Sequence, residues 1–444
     1  MTKTITTPCG EIMGCACSLD GVVAYKGIRY ATAGRWEYPR LVEKWDGVYS
    51  ADKYGSCSYQ PRSFYNEEEN IKKIFYYNEF RRGESYDYSE DCLFLNIWTP
   101  EDATPDSRLP VILYIHGGGF TGGCGHEKHF DDPVWPTKGV IAVTVNYRLG
   151  PLGFFCLPEL VEEAGICGNY GLYDQLAAMK WVNKNISAFG GDPDRVTIMG
   201  QSAGAMSVQH HCTSPLTDGL FSAAVMSSGC GMSDMLMATP NKVYPFWQKV
   251  MERSGCKSLA ELRALSAEKL FAEWQSAKRE VGGGMMSCTP VLDGRLIVKG
   301  AKPKNIPYIV GSNSHDMAPP ILHSLTKGWG KRAGITKYLY FFDRMLPGDN
   351  CGAWHSADLW YWFGRLDNCW RPMEEKDYDV SRQMTDYLCN FAKCGDPNGD
   401  GLTEWTTTSR GGRSLMIGEG STGMAKPNML KLIGIMLTNK SVGE

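Results

Sequence analysis

Ser202 lies in Gly200-Gln201-Ser202-Ala203-Gly204, at the corner between a β-branched and apolar run, Val196 to Met199, and a stretch of helix formers, Ala203 to His211. Strand, sharp turn and helix in that order make a nucleophile elbow: strain lifts the serine hydroxyl above the sheet, and the flanking glycines let strand and helix pack closely. A chain with 50 glycines in 444 residues nearly supplies Gly-x-Ser-x-Gly by chance, so the pentapeptide needs partners to carry weight. A serine hydroxyl is a poor nucleophile until a base takes its proton and a third group orients that base. In elbow-type chains acid and base follow the serine, which sets aside His116, His126 and His129 among the eight histidines. His210 and His211 ride the helix leaving the elbow, as surface or packing residues.

His315, His323 and His355 remain. Catalytic groups in open α/β sheets gather on loops at the carboxyl ends of strands. His355 fits that place, in the Pro/Gly-rich loop that follows the run Tyr338 to Phe342, and Asp316 holds the equivalent place after Pro307 to Val310. Asp316 is therefore the expected orienting acid and His355 the expected base, with Asp343 and His323 as rivals. An oxyanion intermediate also needs preorganised donors. The triplet Gly117-Gly118-Gly119 after Ile115 can converge its amides on one point, and Ala203 N–H adds a donor.

The elements that must carry these groups are visible as period and punctuation. Leu93 to Trp98, Leu109 to Ile115 and Val140 to Asn146 are near-continuous apolar runs, as expected of strands covered on both faces. Gly171 to Asn185 is an amphipathic helix, runs at 223–226, 308–310 and 338–342 continue the sheet, and helices are expected over 241–253 and 259–280. Alternation of strand and helix is the α/β signature. Residues 1–60 read as an antiparallel start, with Gly21 to Tyr30 resembling a hairpin, and the charged stretch 61–90 reads as a solvated surface excursion. Gly282 to Gly284 reads as a flexible joint, and Asp396 to Gly401 as a turn, since Thr407 stands where a calcium loop needs glutamate.

A net charge of −3 predicts no nucleic-acid partner. No apolar run approaches the ~18 residues of a membrane helix, the N-terminal residues lack a signal-peptide core, and a cytoplasmic protein is expected. The 16 cysteines are scattered through a large chain, which favours free buried thiols. Cys15 with Cys17, Cys389 with Cys394, and His126 with His129 all miss metal-site spacings, so neither metal nor cofactor is expected.

Glu90 to Trp98, Gly168 to Gln175, Phe189 to Pro193 and Gly200 to Gly204 together resemble the signature blocks of the type-B carboxylesterases, the family of cholinesterases and bacterial para-nitrobenzyl esterases. The resemblance runs over most of the chain. It implies an α/β-hydrolase fold, a mostly parallel central sheet flanked by helices. It also implies Ser202 as nucleophile, His355 as base and acid, Asp316 as orienting carboxylate, Gly118, Gly119 and Ala203 as oxyanion hole, and Ser228 as hydrogen-bond partner of the acid. Arg35 and Glu90 would pair, and Cys57 and Cys92 match a family disulfide. Gln201 stands where the family commonly has glutamate, which removes a negative charge beside the imidazole. Only 39 residues separate Asp316 from His355 (355 − 316), so a shortened helical cap and a more open site are expected. Residues 1–444 are read as one domain with cap-like insertions near 232–290 and 317–336. The expected activity is hydrolysis of small to medium carboxylic esters through an acyl-enzyme. Amide, carbamate, lactone or thioester cleavage by the same triad, and a non-catalytic binding module, are the alternatives.

Overall fold

The computed structural model describes residues 2–71, 73–281, 287–408, 412–418 and 422–438; the triplet Gly282 to Gly284 lies outside them. Twelve strands form the central sheet: β1 Lys3–Thr7, β2 Gly10–Ala16, β3 Val22–Arg29, β4 Phe94–Pro100, β5 Leu109–Ile115, β6 Ile141–Val145, β7 Gly191–Gln201, β8 Ala223–Ser227, β9 Tyr308–Asn313, β10 Tyr338–Asp343, β11 Ser414–Gly418 and β12 Gly423–Ala425. They lie in the order β1-β2-β3-β4-β6-β5-β7-β8-β9-β10-β11-β12, and Tyr49–Ser50 adds a short strand beside β2. From β6 to β11 every pairing is parallel, whereas β1 to β4 and β12 are antiparallel.

The apolar runs read as strands because both of their faces are buried. Along β5, Val111, Leu113 and Ile115 enter one core layer while Ile112 and Tyr114 enter the other. The first layer is closed by α1 Tyr170–Asn185, α2 Ala203–Thr213, α3 Pro240–Ser254 and α4 Ala267–Glu280. The second is closed by α5 Leu359–Phe363 and α6 Glu375–Cys394, whose Trp360, Trp362 and Phe391 are buried. The helix expected over 259–280 is broken at Leu265 into Leu259–Ala264 and α4, and each half starts with a serine cap, Ser258 or Ser266.

Gly21 to Tyr30 is not a hairpin: β3 runs straight through it against β4, with a register shift between Tyr25 and Ile28 where Gly27 bulges. Glycine within alternating residues marks a bulge as readily as a turn. The stretch 61–90 is not wholly solvated either. The helix Ile74–Phe80 buries Glu79 and Phe80, and Arg62 and Arg81 are buried against Glu127. Charges that look solvated in sequence are paired here with partners far along the chain. All 16 cysteines are unpaired, Cys57 and Cys92 included, and Cys156 and Cys167 bring their sulfurs to 2.7 Å without a bond. Among the described residues no helix is long and apolar enough to cross a membrane.

Candidate active site

At the carboxyl end of β7 the chain turns into α2 through Ser202, whose φ of 56° and ψ of −125° lie outside the ordinary regions for a residue with a side chain. Ser202 N–H donates to Ser227 O (2.9 Å), which binds the corner to β8. The turn is this tight only because Gly204 lacks a side chain: a Cβ there would lie 2.1 Å from Ile115 O and 2.9 Å from His116 O. Both neighbours are backbone and cannot swing aside. Gly204→Ala is expected to destabilise the protein by about 3 kcal/mol, read as a lowered urea midpoint.

The Ser202 hydroxyl donates to His355 Nε2 (2.7 Å), and His355 Nδ1–H donates to Asp316. With the proton on Nδ1, Nε2 is left to accept from the serine. Asp316 Oδ1 also accepts from Met317 N–H (3.0 Å), and Oδ2 accepts from Ser228 Oγ (2.6 Å) and Asn313 N–H (3.1 Å). The loops that carry Asp316 and His355 are stitched together: His315 N–H donates to Ala353 O (3.0 Å) and Asn313 Nδ2 to Trp354 O (2.7 Å). Gln201 Nε2 donates to His355 O (2.8 Å), so the neutral side chain holds the backbone of His355. Burial of His355 opposes its protonation, but the charge and hydrogen bond of Asp316, with Asp358 adding, outweigh it and leave the imidazole above its usual pKa. The rivals lie elsewhere: His323 Nδ1 contacts Ser312 Oγ at 3.3 Å, and Asp343 pairs with Lys431 (3.1 Å). His210 and His211 are buried packing residues.

Gly118 and Gly119 adopt φ of 102° and 62° and are exposed on the floor of a cavity of about 420 Å³ that also holds Ser202 and His355. Among the described residues the N–H groups of Gly118, Gly119 and Ala203 have no protein acceptor. Gln60 fixes the far end of this glycine loop, accepting from Gly123 N–H (2.9 Å) and donating to Gly123 O (3.2 Å), and Tyr147 OH donates to His116 O at its start (2.8 Å). Tyr76, Phe80, Met317 and Leu359 supply apolar wall, and the ion-paired Arg62, Arg81, Glu67 and Glu127 supply polar wall.

Sequence reasoning missed Gln60, Asn313 and Asp358. Asp358 is wholly buried and accepts from Ser227 Oγ (2.7 Å), Tyr340 OH (2.8 Å), Asn313 Nδ2 (3.2 Å) and Trp362 Nε1 (3.2 Å). Burial pushes its carboxyl above the usual range against those donors, and the charge of Asp316 pushes the same way. Its position three residues after His355 was the one signal available. Arg35 and Glu90 pair as expected, with Nε–Oε2 at 2.9 Å.

Sheet order, elbow and glycine loop define an α/β-hydrolase. The chain matches the model of the carboxylesterase family over residues 1–328 and 320–429, and it belongs to that family. It is 40% identical to the para-nitrobenzyl esterase of Bacillus subtilis (strain 168) over 274 residues, 61% of this chain and 52% of that protein. Carboxylesterase 1E of Mus musculus is 33% identical over 531 aligned positions that cover 93% of this chain and 90% of that one. Among solved structures, an esterase of anaerobic Clostridium hathewayi superposes with a TM-score of 0.80 at 26% identity, covering 98% of each chain. The chain spans about half the length of several curated relatives that it matches, and most of the length of others.

Proposed function

We propose that the protein is a serine carboxylesterase that cleaves small to medium carboxylic esters, and that residues 1–444 act as one catalytic domain. The continuous hydrogen-bond chain Ser202–His355–Asp316, at the floor of a cavity beside three uncommitted amide N–H groups, carries the reading. Ser202 Oγ attacks the ester carbonyl carbon while its proton passes to His355 Nε2, and Asp316 stabilises the imidazolium so formed. Gly118, Gly119 and Ala203 N–H groups hold the oxyanion, a donor set of which each member is worth about 3 kcal/mol of barrier. Collapse breaks the bond to the alcohol, which leaves with the proton from His355. Water then attacks the acyl-enzyme, gives its proton to His355, and the second collapse releases the acid and returns the proton to Ser202. No cofactor enters any step.

A cavity of about 420 Å³ with mixed apolar and ion-paired walls supports a small to medium ester. The scatter of 16 cysteines through a large chain supports the cytoplasmic setting. A fluorophosphonate probe is expected to label Ser202 alone, read by peptide mass mapping, and matched substrates to give a higher kcat/KM for the ester than for the amide. Failure to label Ser202 would leave a binding module on a hydrolase fold. An amide preference would move the substrate class and keep the triad.

A further inference from the structure

Outside the cavity of Ser202, one group of side chains has the composition of a metal site. Cys57 Sγ, Cys124 Sγ and a ring nitrogen of His126 all lie within 4.8 Å of one another, and all three residues are buried. Cys57 Sγ is 3.5 Å from His126 Nε2. With metal–sulfur bonds of about 2.3 Å and metal–nitrogen bonds of about 2.0–2.1 Å, tetrahedral ligand atoms around zinc stand about 3.5–3.8 Å apart. The Cys57–His126 separation thus already matches the spacing that a cation would impose, and the other two exceed it by no more than about 1 Å. Two thiols and an imidazole are also the soft donor set that selects such an ion over magnesium or calcium.

The surroundings fit as well. His126 reaches a second cavity of about 290 Å³, separate in its lining from the first, whose wall includes the carboxylates of Glu84 and Asp131 and the ammonium of Lys128. Asp131 there is held by Lys26 at 3.2 Å. His126 Nδ1 and the Tyr86 hydroxyl, both buried there, have no partner among the described residues. Arg62 Nη2 stands 4.0 Å from Cys124 Sγ and its Nη1 pairs with Glu127 at 2.7 Å, so a hydrogen-bond donor faces the Cys124 sulfur.

We propose that Cys57, Cys124 and His126 bind one zinc ion, with a water molecule as fourth ligand. Binding exchanges the two thiol protons, released to solvent, for the cation. The bound ion fastens the segment 124–126, at the end of the glycine loop, to Cys57 in the short parallel pairing of Cys57–Ser58 with Tyr88–Ser89. The site was invisible to spacing rules because its two thiols are 67 residues apart (124 − 57).

The test is elemental analysis of the full chain after dialysis against zinc, together with the absorption spectrum of the cobalt(II) form. One zinc per chain and a thiolate-to-cobalt charge-transfer band are expected. Loss of an outer-shell partner already costs 10–100-fold in metal affinity, so Cys124→Ser, which removes a ligand, is expected to weaken zinc binding by about 100-fold or more and to abolish the band. No retained zinc and no band in the wild-type chain would overturn the proposal, whatever the variants do. So would a band unchanged in Cys124→Ser, or a Cys57–Cys124 disulfide found by mapping the freshly purified protein under non-reducing conditions.

Discussion

Ser202→Ala is expected to lower kcat for a nitrophenyl ester by about 10⁶-fold, the scale seen when a triad nucleophile is removed, with little change in melting temperature. The reason for the second half lies in the backbone. Alanine keeps a Cβ at φ 56°, ψ −125°, so the strained corner is neither relieved nor worsened, and Ser202 N–H still donates to Ser227 O. Strain of this kind costs about 1–3 kcal/mol, so Ser202→Gly is expected to be equally inactive and more stable than Ser202→Ala by about 1 kcal/mol. Steady-state kinetics and urea titration of the two variants check both parts. Activity retained at more than a thousandth of the wild-type rate would remove Ser202 from the role of nucleophile.

Asp316→Asn is expected to lower kcat/KM by about 10⁴-fold and to move the acid limb of the pH profile downwards. In the proposed mechanism His355 takes the proton of Ser202 and must be neutral to do so, so activity is expected to fall as pH drops through its pKa. That pKa is raised above the usual value of about 6.5, because the attraction of the Asp316 carboxylate exceeds the penalty of burial. An amide in its place removes the attraction and leaves the penalty, so the remaining activity should persist to lower pH. Asparagine also fits poorly. Oδ1 of Asp316 faces Met317 N–H and Oδ2 faces Asn313 N–H, so either orientation of the amide points its NH₂ at a backbone donor. A profile whose acid limb stays in place would show that another group sets the base.

What the sequence could determine was whatever depends on neighbours a few residues apart. The strained corner at Ser202 follows from glycines two residues to either side, and the strands β5 to β10 from apolar runs that alternate with helix-forming stretches. Their order placed Asp316 and His355 at successive strand ends, and the signature blocks tied that layout to a family. Local period also has a blind spot: the bulge at Gly27 carries the same alternation and the same glycine as a hairpin, and only pairing with β4 separates them.

Tertiary structure decided the contacts between segments far apart in the chain. Asp358 can sit buried only because Ser227 and Tyr340, 131 and 18 residues away, donate to it. Arg62 and Arg81 became a cavity wall because Glu127 lies between them, and Gln60 holds the glycine loop across 63 residues. The sulfur–imidazole group of Cys57, Cys124 and His126 arises in the same way. A buried polar or charged group is stable only when its partners are in place. Which partners those are is set by how the layers pack, and spacing along the chain carries no trace of it.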